Sequence, residues 1–387
     1  MSPRRAAWHP RESEELLLHA ALDQDESALD SWRRWSADTP PTRIETTAFQ
    51  VLPLVSYNLS RISPGDPDLE LIKGVRRHAW THNQQLIRLG EAVVTELSEA
   101  GIDTLMLKGL SLATLYYPDV GARPMVDLDL LVPRRSALDA IAVLSQKLDP
   151  GTERPMELVE VQHGMPLTDP AGREVDLHWY SIWRSAPDDD FWQAAVPVEL
   201  GEAPTKALSP PDMLLQVCAH GATWHRTPMI RWIADAVMVL RARPDLDWDR
   251  FVTQARKRQL TRTLSGALEH LRAAFDAPVP GDVLRALRES NQSLRERLTT
   301  RAADRPQTML RSLCLQWDRY RRLKVLDPTA PRPTSFPAHL KSAWGCETYG
   351  EFAVYTLRRA AGRARGGNDV EVKREAPLQA ESVPPQR

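Results

Sequence analysis

The segment at residues 125–132, MVDLDLLV, admits few folds. On an extended strand, side chains alternate between faces, so Asp127 and Asp129 share one face and Leu128, Leu130 and Val132 take the other. The apolar face requires a core. The acidic face sets two carboxylates side by side, where they repel unless a cation lies between them. Hard oxygen donors so arranged suit Mg²⁺ (or Mn²⁺). The strand therefore calls for a sheet with one face packed and the other reserved for charge.

The flanking segments extend this reading. Residues 102–107 form an apolar strand that ends at Lys108-Gly109, and a short helix over 110–117 stops at Pro118. Backbone amides at such a turn can cradle phosphates, and Lys108 adds charge; the plainer reading is a surface lysine. Downstream, HGMPLTDPAGREVDLHW reads as a hairpin with its turn at residues 169–172. Asp176 alternates with Val175 and Leu177, so it is expected beside the Asp127–Asp129 strand. Three carboxylates on neighbouring strands can hold two divalent ions for in-line displacement at phosphorus.

Other residues keep two readings each. Arg123 contacts phosphate oxygens or pairs with a carboxylate. Ser111 is a weak phosphate ligand or a first-turn helix residue. His178 shares the face of Asp176 and binds nucleotide, orients a hydroxyl or hydrogen-bonds that aspartate. His220, His225 and Asp235 lie in HGATWHRTPMIRWIADAVMVL. A separation of five does not stack the two histidines on a helix, which favours a polar cluster between helices over a metal site. Trp179, Trp183 and Trp192 are read as packing residues.

The blocks LKGLSLATLYYP, GARPMVDLDLLV and VDLHW resemble the bacterial uncharacterised nucleotidyltransferases (the NTP_transf_5 type) of the DNA polymerase beta superfamily. LPLVSYNL, AGIDTLMLKG and HGATW…RWIADAVMVL carry weaker likeness, and the resemblance covers roughly residues 50–240. It implies an α+β fold, a minimal nucleotidyltransferase mixed-sheet core with helical regions on both sides. It also implies that Asp127, Asp129 and Asp176 are the catalytic, metal-holding carboxylates, with Lys108, Gly109, Ser111, Arg123 and His178 around the nucleotide. The superfamily usually places Gly-Ser at the first turn, where serine and backbone amides hold the triphosphate. Here Lys108-Gly109 occupies that place.

Composition sets bounds. Hydrophobic residues make up 42% and charged residues 26% of 387, ordinary for a globular chain. No apolar run approaches a membrane span, and the first residues lack a signal core. Three cysteines in no zinc spacing fit the cytoplasm. Net charge is −1, with no strong nucleic-acid signature. The balance is uneven: residues 251–387 carry 25 basic and 14 acidic side chains. Such a basic half meets an anionic partner or docks on the acidic half.

The expected organisation is a helical region over 1–101, a catalytic core over 102–205, a second helical region over 206–361 and a disordered tail over 362–387. Helices are expected at 11–35, 44–61, 69–100, 209–224, 229–243, 247–276, 281–301, 306–324 and 348–361. Proline-rich 327–337 reads as irregular.

The leading function is transfer of NMP from an NTP, ATP first, to an acceptor hydroxyl with release of pyrophosphate. The acceptor is a small molecule, an RNA end (as in a toxin that modifies transfer RNA) or a protein side chain, and the sequence does not choose. Alternatives are γ-phosphate transfer on the same scaffold and a non-catalytic nucleotide-binding accessory protein.

Overall fold

The structure is a computed structural model. It describes residues 8–39, 44–65, 69–151, 159, 162–182, 187–223, 229–303, 309–326, 335–346 and 348–364. The expected disordered tail lies outside these residues, apart from 362–364, which close the last helix. Pro40-Pro41, Trp183 and His225 also fall outside.

A six-stranded mixed sheet forms the centre, in the order β3-β4-β2-β1-β6-β5. The strands are β1 (Leu105–Met106), β2 (Asp127–Leu131), β3 (Gly164–Thr168), β4 (Glu174–His178), β5 (Val196–Leu200) and β6 (Ala203–Ala207). β2 runs parallel to β4 and antiparallel to β1. The β3–β4 hairpin turns where the Asp169-Gly172 signal predicts. The β5–β6 hairpin is absent from the sequence reading. It adds a strand parallel to β1, and Pro197 and Pro204, one inside each short strand, argue against strand in the sequence.

Alternation divides the sheet as the sequence requires. Leu128, Leu130, Val132, Met106, Val175 and Leu177 point into one core. Two helices cover that face. The stripe Leu86, Val93, Val94 and Leu97 of a long helix (Leu69–Glu99) packs there, as do Ile141 and Leu144 of another (Ala137–Leu144). The long helix stops at Gly101, whose φ of +72° suits glycine. On the other face, Leu105, Leu107 and Leu131 join a larger core with helices from both ends of the chain.

In chain order the helices are α1 (Glu12–Leu22), α2 (Glu26–Asp38), α3 (Thr46–Phe49), α4 (Leu52–Ile62), α5 (Leu69–Glu99), α6 (Lys108–Leu115), α7 (Ala137–Leu144), α8 (Asp189–Ala194), α9 (Pro210–Gly221), α10 (Arg231–Ala242), α11 (Trp248–Lys257), α12 (Thr261–Phe275), α13 (Gly281–Arg288), α14 (Leu294–Ala303), α15 (Met309–Leu326), α16 (Phe336–Ala343) and α17 (Tyr349–Ala364). Several differ from expectation. The single helix read over 247–276 is two, broken at Gln259 with φ +56°. The stretch 281–301 also divides, and α16 begins inside the proline-rich segment because Ser335 caps it and Pro337 sits in its first turn. α6 starts at Lys108 rather than at residue 110. Ser209 stands at the start of α9, but its hydroxyl donates to Asp212 instead of accepting from the helix. Trp179 is buried in the sheet core, and Trp192 packs at the edge of the larger one.

Among the described residues, no helix is long and apolar enough to cross a membrane.

Candidate active site

Asp129 and Asp176 are register partners on parallel β2 and β4, so their carboxylates stand side by side on the charged face. Asp127 pairs in register with Glu174, which brings a fourth carboxylate to that face. His178, two residues beyond Asp176, places Nε2 between the two registered aspartates: it donates to Asp129 Oδ1 at 3.0 Å and lies 3.0 Å from Asp176 Oδ2. The ligand atoms of Asp129, Asp176 and His178 all fall within 4.8 Å of one another. The ring owes its position to Gly164 on β3, where a Cβ would sit 2.9 Å from His178 Nδ1.

Lys108 completes the cluster. Its Nζ contacts Asp129 Oδ1 at 3.0 Å. Its backbone φ is +30°, a left-handed conformation that costs a side-chain-bearing residue about 1–2 kcal/mol. Glycine is the residue that adopts this conformation freely, and here a lysine adopts it with its ammonium anchored on Asp129. The Lys108 amide donates to Gln216 Oε1 of α9 at 3.4 Å, and Gln216 Nε2 donates to the Ser181 carbonyl at 3.1 Å.

The electrostatics follow from crowding. Burial, then the charge of Asp129, pushes the Asp127 carboxyl up to about 7. Burial also opposes ionisation of Asp129, but Lys108 and His178 outweigh it and hold that carboxyl far below the usual range. Burial would lower His178; Asp176 and the hydrogen bond to Asp129 overcome it and raise the imidazole to about 9. Glu174 is raised by burial and by Asp176 and Asp129.

These groups fit a divalent cation. Carboxylate oxygens converge on a face that already draws in Lys108 and His178 to balance charge. The oxygen donors suit Mg²⁺ and Mn²⁺.

The site opens to a cleft of about 490 Å³, counted with its solvent-exposed mouth. Lys108, Gly109, Asp127 and Asp129 line one side, and Val217, His220, Arg231, Trp232 and Asp235 of α9 and α10 line the other. Arg123 resolves toward a carboxylate pair: Nε and Nη2 donate to Asp235 Oδ1 and Oδ2 at 2.7 and 2.9 Å, and the Tyr117 hydroxyl donates to the same Oδ1 at 2.7 Å. Asp235 thus belongs to a polar cluster at the cleft wall. Ser111 is fully buried in α6 and does not line the cleft.

Three residues escaped the sequence reading. Asn83 of α5 donates to the carbonyls of Val120 and Arg123 at 2.5 and 2.7 Å and accepts from the Met125 amide at 3.0 Å, which pins the loop carrying Arg123. No local pattern marks it within its helix. Gln216 and Arg231 lie in helical segments where no local motif singles them out.

No curated protein matches the chain. Among solved structures, it is similar to an antigenic nucleotidyltransferase-like protein from Paracoccidioides brasiliensis, at 14% identity and a TM-score of 0.36, over 52% of this chain and 96% of that one. The family described as uncharacterised nucleotidyltransferase matches residues 46–276, more than half of the sequence and both carboxylate strands. The chain belongs to that family of transferases.

Proposed function

We propose that the protein transfers NMP from an NTP, with ATP the first candidate, to an acceptor hydroxyl and releases pyrophosphate. The observation that carries this reading is the registered pair Asp129–Asp176 with His178 between them, where Asp127 and Asp129 line a cleft at the Lys108-Gly109 turn. Asp127, Asp129 and Asp176 are the groups that would hold Mg²⁺ or Mn²⁺. When bound, the cation neutralises phosphate charge and supplies Lewis acidity at the transferred phosphoryl group.

The chain's own residues then divide the work. The start of α6, with Gly109, seats the phosphates through backbone N–H groups. Lys108 and His178 both donate to Asp129 Oδ1, so the orientation of that carboxylate is set before substrate arrives. Asp176 takes the proton of the acceptor hydroxyl. The acceptor oxygen forms a bond to the α-phosphorus as the bond from that phosphorus to the bridging oxygen breaks, and the electron pair leaves with pyrophosphate. Most of the rate gain is positioning and charge balance.

The same proposal divides the chain into a helical region, a core over 102–205 and a second helical region, and sets it in a reducing cytoplasm, which its three free thiols suit. Incubation with α-labelled and γ-labelled NTP, Mg²⁺ or Mn²⁺, and host lysate is the test. Label from the α position should appear in an acceptor, and Asp176→Asn should abolish it. Transfer of the γ label alone would make the protein a phosphotransferase, and no transfer from either label would leave a nucleotide-binding protein.

A further inference from the structure

Lys108 is the obvious cation for a nucleotide's phosphates, but Asp129 holds its ammonium at 3.0 Å. Two guanidinium groups stand nearby. Arg123 is 3% exposed, with Nε and Nη2 committed to Asp235. Its Nη1 has no hydrogen-bond partner among the described residues and lies 3.3 Å from the point where a Cβ on Gly109 would sit. Arg231, at the start of α10, lines the same cleft and donates from Nη1 to the Pro124 carbonyl at 2.9 Å. Burial first, and then Arg123, lowers the Arg231 pKa, as expected for neighbouring like charges. Asp235 pairs directly with Arg123, and the charges of Asp235 and Asp127 both act on Arg231. A buried donor aimed at a helix start and a second cation beside it are the complement of a phosphate chain: guanidinium forks match phosphate oxygens, and helix N-terminal amides add donors.

We propose that Arg123 Nη1 and Arg231, with the first backbone N–H groups of α6, form a phosphate subsite for the terminal phosphates of the donor nucleotide. The subsite rests on the nucleotidyl-transfer reading for its ligand, and it makes α10 part of the nucleotide grip. Asn83 is a positioning residue for it, because it holds the carbonyls and amide of the 120–125 loop.

The probe is inorganic tripolyphosphate, titrated calorimetrically into metal-stripped full-length protein, with sulfate as the comparison anion. Wild type should bind tripolyphosphate at least ten-fold more tightly than sulfate. Arg231→Gln should weaken tripolyphosphate about ten-fold or more at unchanged melting temperature, and Arg231→Lys should recover part of the loss, since it restores charge without the fork. In transfer assays Arg231→Gln should raise the KM for NTP more than it lowers kcat. Equal affinity for sulfate, or unchanged tripolyphosphate binding in Arg231→Gln, overturns the subsite. If α-label transfer persists in that case, the function stands and only the subsite falls. If tripolyphosphate binding depends on Arg231 but no NTP donates, the subsite stands and the transfer reading falls.

Discussion

Two charged clusters in this molecule are built on opposite terms. On the charged sheet face, Asp127, Asp129, Glu174 and Asp176 crowd together, with Lys108 paired to Asp129 and His178 to Asp129 and Asp176. Beneath the C-terminal helices, Asp188, Asp190 and Asp212 meet Arg258, Lys257 and Arg250. The second set is closed. Asp188 accepts from the Ser181 amide and hydroxyl and from Arg258, whose guanidinium also lies 3.5 Å over the Phe191 ring. Asp212 accepts from Arg250 and Ser209. The first set is short of positive charge and opens to a cleft. A cluster that balances itself serves the fold. One that remains anionic next to an opening has stability to gain from a cation and substrate, which is the condition for a binding site.

The contrast breaks most sharply at Asp127. Asp127→Asn removes one of four crowded carboxylates while keeping shape. Turnover should fall on the order of a thousand-fold, in line with loss of a charge-stabilising group. The melting temperature should hold or rise, because like charges are relieved. A fall in melting temperature with normal turnover would show that this cluster, too, is structural.

Arg258→Met tests the other side. It leaves Asp188 buried and without its cation, which should cost about 3–5 kcal/mol in denaturant unfolding. Per folded molecule, α-label transfer should stay near wild type. Loss of transfer at full stability would join the two clusters, through Ser181 and Gln216, into one functional unit.

Gly109→Val sharpens the cleft end of the comparison. A branched side chain would crowd Arg123 Nη1 and the approach of phosphate. NTP affinity should drop about ten-fold, roughly 1.4 kcal/mol. Calorimetry showing unchanged affinity would move the phosphates away from this turn.

The smallest effect concerns a pair that is balanced but half-exposed, His19 Nδ1 with Asp23 at 3.1 Å. The hydrogen bond to Asp23 raises the His19 pKa above its usual 6.5. Its contribution is therefore full below about pH 6.5, the unfolded value, and fades as pH rises through the folded value. Solvent screening should limit it to under about 1 kcal/mol. The stability lost in His19→Gln should be larger at pH 5.5 than at pH 9. An equal loss at both would assign the effect to packing against Phe275.

The strand of Asp127 and Asp129, the Lys108-Gly109 turn, the 169–172 hairpin and the long helix to residue 99 were legible because each rests on local physics. Period two fixes a face, glycine and proline fix a turn, and an apolar stripe fixes a helix. The β5–β6 hairpin was not legible. Each of its strands carries a proline, and β6 owes its place to pairing with β1 about a hundred residues away. Arg123 was read with its two alternatives open, because the partner that engages it, Asp235, is more than a hundred positions downstream.

Local alternation in the sequence puts Asp127 and Asp129 on one face of their strand and Asp176 opposite Val175 and Leu177 on its own, since alternation needs nothing beyond the strand. The fold as a whole sets Asp176 level with Asp129 and has His178 bridge them. It alone decided that Lys108 is taken by Asp129, and that Asn83, Gln216 and Arg231 surround the site. Those facts are distances between segments remote in the chain, and strand register and helix packing set them rather than any local preference of the residues involved.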